Sequence, residues 1–81
     1  MLSNEQLAAH FQAVDGVTHV QVEGDGHHYQ LTLVSDVFVG LSRLARERWV
    51  YAQLGDYVTS GRLHALCMQT WTMAEWEKHH G

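Results

Sequence analysis

The chain has 81 residues, of which 46% are apolar and 17% are charged, with three tryptophans and no proline. This length fits one small domain, and the apolar fraction excludes a disordered tail. The net charge of −4 with neutral histidine argues against a general nucleic-acid coat and against a protein that binds anionic membranes.

The cysteine count, the targeting signals and the histidine count limit the kind of protein and its compartment further. A single cysteine, Cys67, excludes an internal disulfide and a four-cysteine metal site, and it suggests a reducing compartment. Residues 1–5 lack the basic and apolar segments of a signal peptide, and no apolar run approaches the roughly 18 residues of a membrane span. We therefore expect a cytoplasmic protein that binds no membrane. Protonation of all seven histidines would change the formal charge from −4 to +3, which raises acid sensing as a hypothesis.

The first predicted element is a helix at about residues 4–14. Ser3 and Gln6 have the spacing of a capping box, in which each residue satisfies a backbone N–H of the other. Gly16 supplies the stop at the end of the helix. The apolar stripe at helical spacing consists of Leu7, Phe11 and Val14.

A β-hairpin is predicted over residues 17–34. The sequence alternates with a period of two on both sides of Gly24-Asp25-Gly26, which is a turn sequence. The turn that follows the hairpin is predicted at residues 36–40. The alternating apolar positions are Val20, Val22, Tyr29, Leu31 and Leu33.

A long helical segment and a third strand complete the sheet. Ser42 can cap a helix that ends near Gly61, and Gly55 is a point at which this helix can break into two. The strand-like run at residues 63–71 is apolar on both sides of its alternation, which predicts a strand that is covered on both faces.

The last predicted element is a short helix through Trp76, which begins at a second capping box formed by Thr72 and Glu75. The element order is therefore α-β-β-α(α)-β-α. The hairpin makes the first two strands antiparallel, and the long helical crossover makes the second and third strands parallel. We predict an α+β, two-layer domain with helices on one face of a three-stranded mixed sheet.

Five segments, in this order, resemble the BolA family, whose fold is similar to class II KH domains. The glycine-containing loop of the first segment is similar to that of the bacterial IbaG/YrbA branch, whereas Glu47 stands where many members have histidine. The segments are Val22-Glu-Gly-Asp-Gly-His-His-Tyr-Gln-Leu31, Phe38-Val-Gly-Leu-Ser-Arg43, Arg46-Glu-Arg-Trp-Val-Tyr51, Arg62-Leu-His-Ala-Leu66 and Thr70-Trp-Thr-Met-Ala-Glu-Trp76.

The resemblance implies a non-enzymatic adaptor that binds a monothiol glutaredoxin of the CGFS type. In such pairs a [2Fe-2S] cluster is shared among the glutaredoxin cysteine, glutathione and the BolA-like partner, and the isolated chain is expected to hold none. The resemblance assigns His64 as one metal ligand and His27 or His28 as the second.

The residues alone leave the histidine assignment open. If the second and third strands are parallel neighbours, His27 and His28 open one strand and His64 opens the other, about 5 Å away. Imidazoles at matching heights could then share one metal, and imidazole suits iron. The alternative is that these are ordinary surface histidines, which the residues by themselves favour.

An arginine-rich segment offers a second function, that of a DNA-binding regulator of the stress response. Its arginines could contact phosphates while Trp49 stacks on bases, although Gly40-Leu41-Ser42-Arg43 lacks the second glycine of a KH loop. The same surface could instead dock a glutaredoxin, and the chain alone is expected to be a monomer or a weak homodimer. The predicted docking residues are Arg43, Arg46, Arg48 and Trp49, with Arg62 nearby.

The remaining reactive side chains predict no catalytic site. Cys67 lies mid-strand among apolar neighbours, where we expect a buried, inert thiol without an adjacent base. His10 and His19 have no partner at metal-ligand spacing and are interpreted as structural or surface residues. His79 and His80 are expected to be solvated at a frayed terminus.

Overall fold

The computed structural model describes residues 3–25, 28–59 and 65–80. Three residues with predicted roles lie outside these ranges: His27, Arg62 and His64. In the described chain no helix combines the length and the apolar character needed to cross a membrane. The elements are α1 (Asn4–Gln12), β1 (Val17–Gly24), β2 (His28–Ser35), a 3-10 turn (Asp36–Phe38), α2 (Arg43–Thr59), β3 (Ala65–Trp71) and α3 (Met73–His80).

The three strands form one sheet in the order β1-β2-β3. β1 and β2 are antiparallel, whereas β2 and β3 are parallel. The predicted mixed sheet and the predicted α+β fold are therefore confirmed. β1 and β3 are the two outer strands, so each has one edge without a neighbouring strand among the described residues.

Local sequence signals place the helix boundaries. The Ser3 hydroxyl accepts from the Gln6 N–H, and the Gln6 side chain accepts from the Ser3 N–H, as the capping box predicts. The Ser42 hydroxyl accepts from the Ala45 N–H at the start of α2. Gly55 has non-helical backbone angles, which confirms the predicted break in α2.

The hydrophobic core lies between one face of the sheet and the first two helices. On β2 the side chains of Tyr29, Leu31 and Leu33 are buried on this face, whereas the residues between them are exposed or partly exposed. The pattern arises because successive side chains of a strand point to opposite faces of the sheet. The side chains packed against them come from α1, the 3-10 turn and α2: Leu7, Phe11, Phe38, Val50 and Leu54.

The opposite face of the sheet is polar and largely open. Gln30, Cys67 and Gln69 are exposed there, and α3 covers only the end of this face. The Trp76 ring lies 5.2 Å from the His19 ring and 5.9 Å from the Trp71 ring, measured between centroids. His19 and Trp71 are the register partners of Val34, which is fully buried.

Four sequence-based expectations need correction. Cys67 is exposed rather than buried, and β3 is not covered on both faces, because no described residues form a second layer at that height over the sheet surface opposite α1 and α2. The last helix continues past Trp76 to His80. His79 and His80 are exposed as predicted, but their rings contact Trp71 at 4.7 Å and Trp76 at 3.9 Å, so they do not form a frayed end.

Candidate functional site

The starts of β2 and β3 lie side by side, and we call this part of the sheet the strand-start edge. His28, the first residue of β2, is in register with Ala65, the first residue of β3. Adjacent strands lie about 4.8 Å apart, so the backbones of these two positions are neighbours at the same height of the sheet. The strand-start edge therefore brings together two segments that are more than 35 residues apart in the chain.

Asp25 fixes the backbone of His28 at the start of β2. The Asp25 carboxylate accepts a hydrogen bond of 2.9 Å from the His28 N–H, and Asp25 Oδ1 lies 3.8 Å from His28 Nδ1. Gly24 allows the backbone of His28 to lie this close, because a Cβ atom at position 24 would collide with the carbonyl oxygen of His28. The His28 side chain is 79% exposed, so its imidazole is accessible to a partner.

The predicted ligand set is only partly described. His28 is placed at the strand-start edge, and an exposed imidazole is a suitable nitrogen ligand for iron. His27 and His64 lie outside the described residues, so the pairing of either with His28 stays a prediction. Within residues 3–25, 28–59 and 65–80, no three histidine, cysteine or acidic side chains are grouped as a metal site.

Arg46, one of the predicted docking residues, is held inside the fold. Its guanidinium donates to the carbonyl oxygens of Leu41 at 3.1 Å and Thr70 at 3.2 Å. It also donates to both carboxylate oxygens of Glu75, at 2.8 and 3.3 Å. Only 14% of the Arg46 side chain is exposed, so this guanidinium joins α2, β3 and α3.

Glu75 connects this arginine to the start of α3. It completes the predicted capping box, because its carboxylate accepts from the Thr72 N–H and its own N–H donates to the Thr72 hydroxyl. The hydrogen bond from Arg46 is the main cause that lowers the pKa of Glu75 to about 2, and the Thr72 N–H adds to the effect. The carboxylate is therefore ionised whenever the protein is near neutral pH.

The other predicted docking residues differ in how much of their side chain is free. Trp49 is half-buried against the core, with its ring perpendicular to that of Phe38 at 5.4 Å. Arg43 is 86% exposed and pairs with Glu47 at 3.2 Å, an exposed contact within one helix that stabilises little. Arg48 is exposed. The accessible cations of α2 are therefore Arg43 and Arg48.

No local sequence pattern predicts the role of Arg46, because Glu75 is 29 residues away and only the packing of α2 on β3 brings the two together. His10 is likewise structural. Its imidazole contacts the carbonyl oxygen of Gln53 and so links α1 to α2.

Comparison with known proteins agrees with this fold. A family model described as BolA-like protein matches residues 4–75. Acid stress protein IbaG of Escherichia coli strain K12 is 31% identical over 77 residues, which cover 95% of this chain and 92% of the relative. The DNA-binding transcriptional regulator BolA of the same strain is 35% identical over 79 residues, which cover 90% of this chain and 74% of the relative.

A solved structure supports the same assignment. A BolA protein homologue from Coxiella burnetii matches with a TM-score of 0.82 at 31% identity, covering 95% of this chain and 99% of that one. The resemblance drawn from the five sequence segments is thus confirmed by sequence and by structure. The chain belongs to the BolA-like protein family.

Proposed function

We propose that this protein is a non-enzymatic, cytoplasmic adaptor that binds a monothiol glutaredoxin of the CGFS type. It contributes His64, together with His27 or His28, to a [2Fe-2S] cluster that is shared with the glutaredoxin cysteine and glutathione. The cluster is either transferred to another protein or sensed as a signal, and its remaining ligands come from the partner. The isolated chain has no need to bind it alone.

The observation that carries this proposal is the geometry of the strand-start edge. His28 and Ala65 are register partners on neighbouring parallel strands, and the His28 imidazole is exposed. His64 directly precedes Ala65 in the sequence. We expect a partner that approaches this edge to meet the exposed His28 imidazole and, because of its position next to Ala65 in the sequence, His64 as well. Two histidines leave coordination positions for thiolates, which suits a cluster completed by another protein.

The test is reconstitution of the mixed complex. The protein, a CGFS glutaredoxin, glutathione, iron and sulfide are combined without oxygen, and visible absorption and circular dichroism are recorded. We expect His64→Ala to change the spectrum of the mixed cluster, and one of His27→Ala and His28→Ala to do the same. The control is His19→Gln, which alters a histidine at the other end of the sheet. An unchanged spectrum with His64→Ala refutes the assignment of that ligand.

A second function, DNA binding by a transcriptional regulator, is favoured by one relative and one surface. The relative is named a DNA-binding transcriptional regulator, and α2 exposes Arg43 and Arg48. Arg46 is a poor probe of this function because its loss also disturbs the fold. Arg48→Ala should reduce the slope of log affinity against log salt by about one if Arg48 contacts a phosphate.

The control for DNA binding is Lys78→Ala, which removes a cation from α3 instead of α2. If both variants lower the affinity equally, the binding is non-specific. If the protein does not bind DNA at low salt, the regulator hypothesis is wrong.

A further inference from the structure

Asp25 approaches His28 at two points, one on the backbone and one on the ring. Its Oδ1 atom accepts a hydrogen bond of 2.9 Å from the His28 N–H, and the same oxygen lies 3.8 Å from Nδ1 of the imidazole. A carboxylate oxygen has two lone pairs, so Oδ1 can accept from the backbone and from the ring together. The ring distance is about 1 Å longer than a hydrogen bond, and a small rotation of the exposed His28 side chain closes it.

The contact at Nδ1 determines which ring nitrogen of His28 is free. A neutral imidazole carries its proton on one nitrogen and offers the lone pair of the other to a donor or a metal. The hydrogen bond made by one nitrogen sets this choice. A carboxylate at Nδ1 favours the proton there and leaves the lone pair on Nε2. Metal-binding histidines commonly donate their second nitrogen to a carboxylate in this way, and the donation fixes the orientation of the ring.

We propose that Asp25 is a positioning residue for His28, which holds the imidazole proton on Nδ1 and so presents the Nε2 lone pair at the strand-start edge. The consequence for the cluster rests on the proposed function, because Nε2 is then the atom that binds iron. Asp25 acts through the imidazole and needs no contact with the iron. The backbone hydrogen bond and the ring contact come from one carboxylate, so the start of β2 and the orientation of the ring are fixed together.

A second carboxylate on the same hairpin provides a matched control. Glu23 lies on β1 and is exposed, as Asp25 is. Its Oε1 atom accepts a hydrogen bond of 2.9 Å from the side-chain amide of Gln21. Glu23 is in register with Gln30 rather than with His28. The Glu23→Gln variant therefore removes one negative charge from the hairpin and keeps both contacts between Asp25 and His28.

The tautomer of His28 is measured on the isolated protein, without iron or glutaredoxin. The ring nitrogen chemical shifts, recorded by NMR at a pH of about 8.5 where an ordinary histidine is neutral, give the ratio of the Nδ1–H to the Nε2–H form. We expect Asp25→Ala to lower this ratio about threefold, which is the effect that an exposed pair supports. Glu23→Gln should change the ratio less. Equal ratios in the wild type and Asp25→Ala would overturn the proposal.

The Asp25→Asn variant separates the ring contact from the backbone contact. Its amide oxygen can still accept from the His28 N–H, so we expect the exchange rate of this amide to stay close to that of the wild type. The ring then faces a neutral acceptor, which is weaker than a carboxylate, so the tautomer ratio should fall towards that of Asp25→Ala. If Asp25 only holds the backbone, Asp25→Asn keeps the wild-type ratio, and this result would refute the positioning of the ring.

The mixed complex with glutaredoxin shows whether the orientation reaches the cluster. We expect Asp25→Asn to change the same visible circular dichroism bands as His28→Ala, and to change them more than Glu23→Gln does. Bands that respond to His28→Ala but not to Asp25→Asn, or to His27→Ala alone, would overturn the proposal. If the wild type forms no mixed cluster, the proposed function fails, and the tautomer ratios of the isolated protein still decide whether Asp25 orients His28.

Discussion

At Arg46 a single guanidinium donates hydrogen bonds to three separate segments of the chain. The carbonyl oxygens of Leu41 and Thr70 and the carboxylate of Glu75 all accept from it. Each bond to a charged donor in a largely buried position contributes more than a surface ion pair does. This arginine is therefore interpreted as a structural residue, although it lies among cations that the sequence assigned to docking.

We expect Arg46→Ala to lower the free energy of unfolding by about 2 kcal/mol, because two carbonyl groups and one carboxylate lose a charged donor. Urea denaturation followed by circular dichroism measures the change. The matched control is Arg48→Ala, two positions along α2, where the side chain is exposed and the expected change is within about 0.5 kcal/mol. Equal losses for the two variants would contradict the structural role of Arg46.

Glu75 makes the same contact sensitive to acid. Its pKa is lowered from 4.5 to about 2 in the folded protein, mainly by the hydrogen bond from Arg46. A lowered pKa means that the unfolded chain binds the proton more readily than the folded chain does. The stability from Glu75 is therefore fully present above pH 4.5 and is lost as the pH falls from 4.5 to about 2.

The corresponding prediction concerns the pH dependence of unfolding. The free energy of unfolding of the Glu75→Gln variant should fall less steeply than that of the wild type between pH 4.5 and 2, because this variant has no carboxylate to protonate there. Glu77→Gln, on the same helix, is the control for the loss of one negative charge. Thermal denaturation at a series of pH values supplies the slopes, and identical slopes for all three proteins would exclude the linkage.

At the scale of the elements, Gly24 at the end of β1 determines where His28, the first residue of β2, is placed. Gly24 has φ of +147°, and a Cβ atom there would strike the backbone of His28. The Gly24→Ala variant should therefore lose at least about 2 kcal/mol of stability and displace the amide resonance of His28. Gly40 has φ of +79° with no atom within 4 Å of an added Cβ, so Gly40→Ala should cost about 1 kcal/mol and leave His28 in place. Comparable effects of the two substitutions at His28 would show that Gly24 does not position it.

The elements themselves were predictable where their signals are local. Both capping boxes, the break at Gly55 and the strand pairing follow from short patterns, and the structure confirms them. The exposure of Cys67 was not predictable in this way. It depends on β3 being an outer strand and on the absence of a layer over that face in the described chain, which a run of apolar letters cannot reveal.

The end of α3 was also not predictable from a local pattern. A pair of histidines near the end of the sequence predicts a solvated, frayed segment, but the rings of Trp71 and Trp76 contact His79 and His80, and the helix extends to His80. For the candidate site, the family resemblance supplied the histidines, and the sheet topology predicted that the first residues of β2 and β3 are neighbours, which the register of His28 with Ala65 confirms. Of the predicted docking residues, Arg46 is bound by Glu75 and Trp49 is half-buried against Phe38, so the docking role of this surface stays a prediction.

For the whole molecule, the net charge determines whether a polyanion such as DNA is attracted or repelled. This charge depends on nine acidic residues, five basic residues and seven histidines. The net charge of −4 with neutral histidine opposes DNA binding, whereas protonation of all seven histidines would give +3. Three of the histidines, His10, His19 and His28, come from different elements, and two more form a basic last turn with Lys78 at the end of α3.

We therefore expect the affinity for a random DNA duplex to rise at least about tenfold when the pH falls from about 7.5 to about 5.5 at constant ionic strength, because histidine titrates between these values. Fluorescence anisotropy of a labelled duplex measures the change. Replacing His79 and His80 by glutamine removes two of the seven histidines and should reduce the gain. A gain that is unchanged in this double variant would place the responsible charges elsewhere, and an affinity that does not depend on pH would show that histidine charge does not control DNA association.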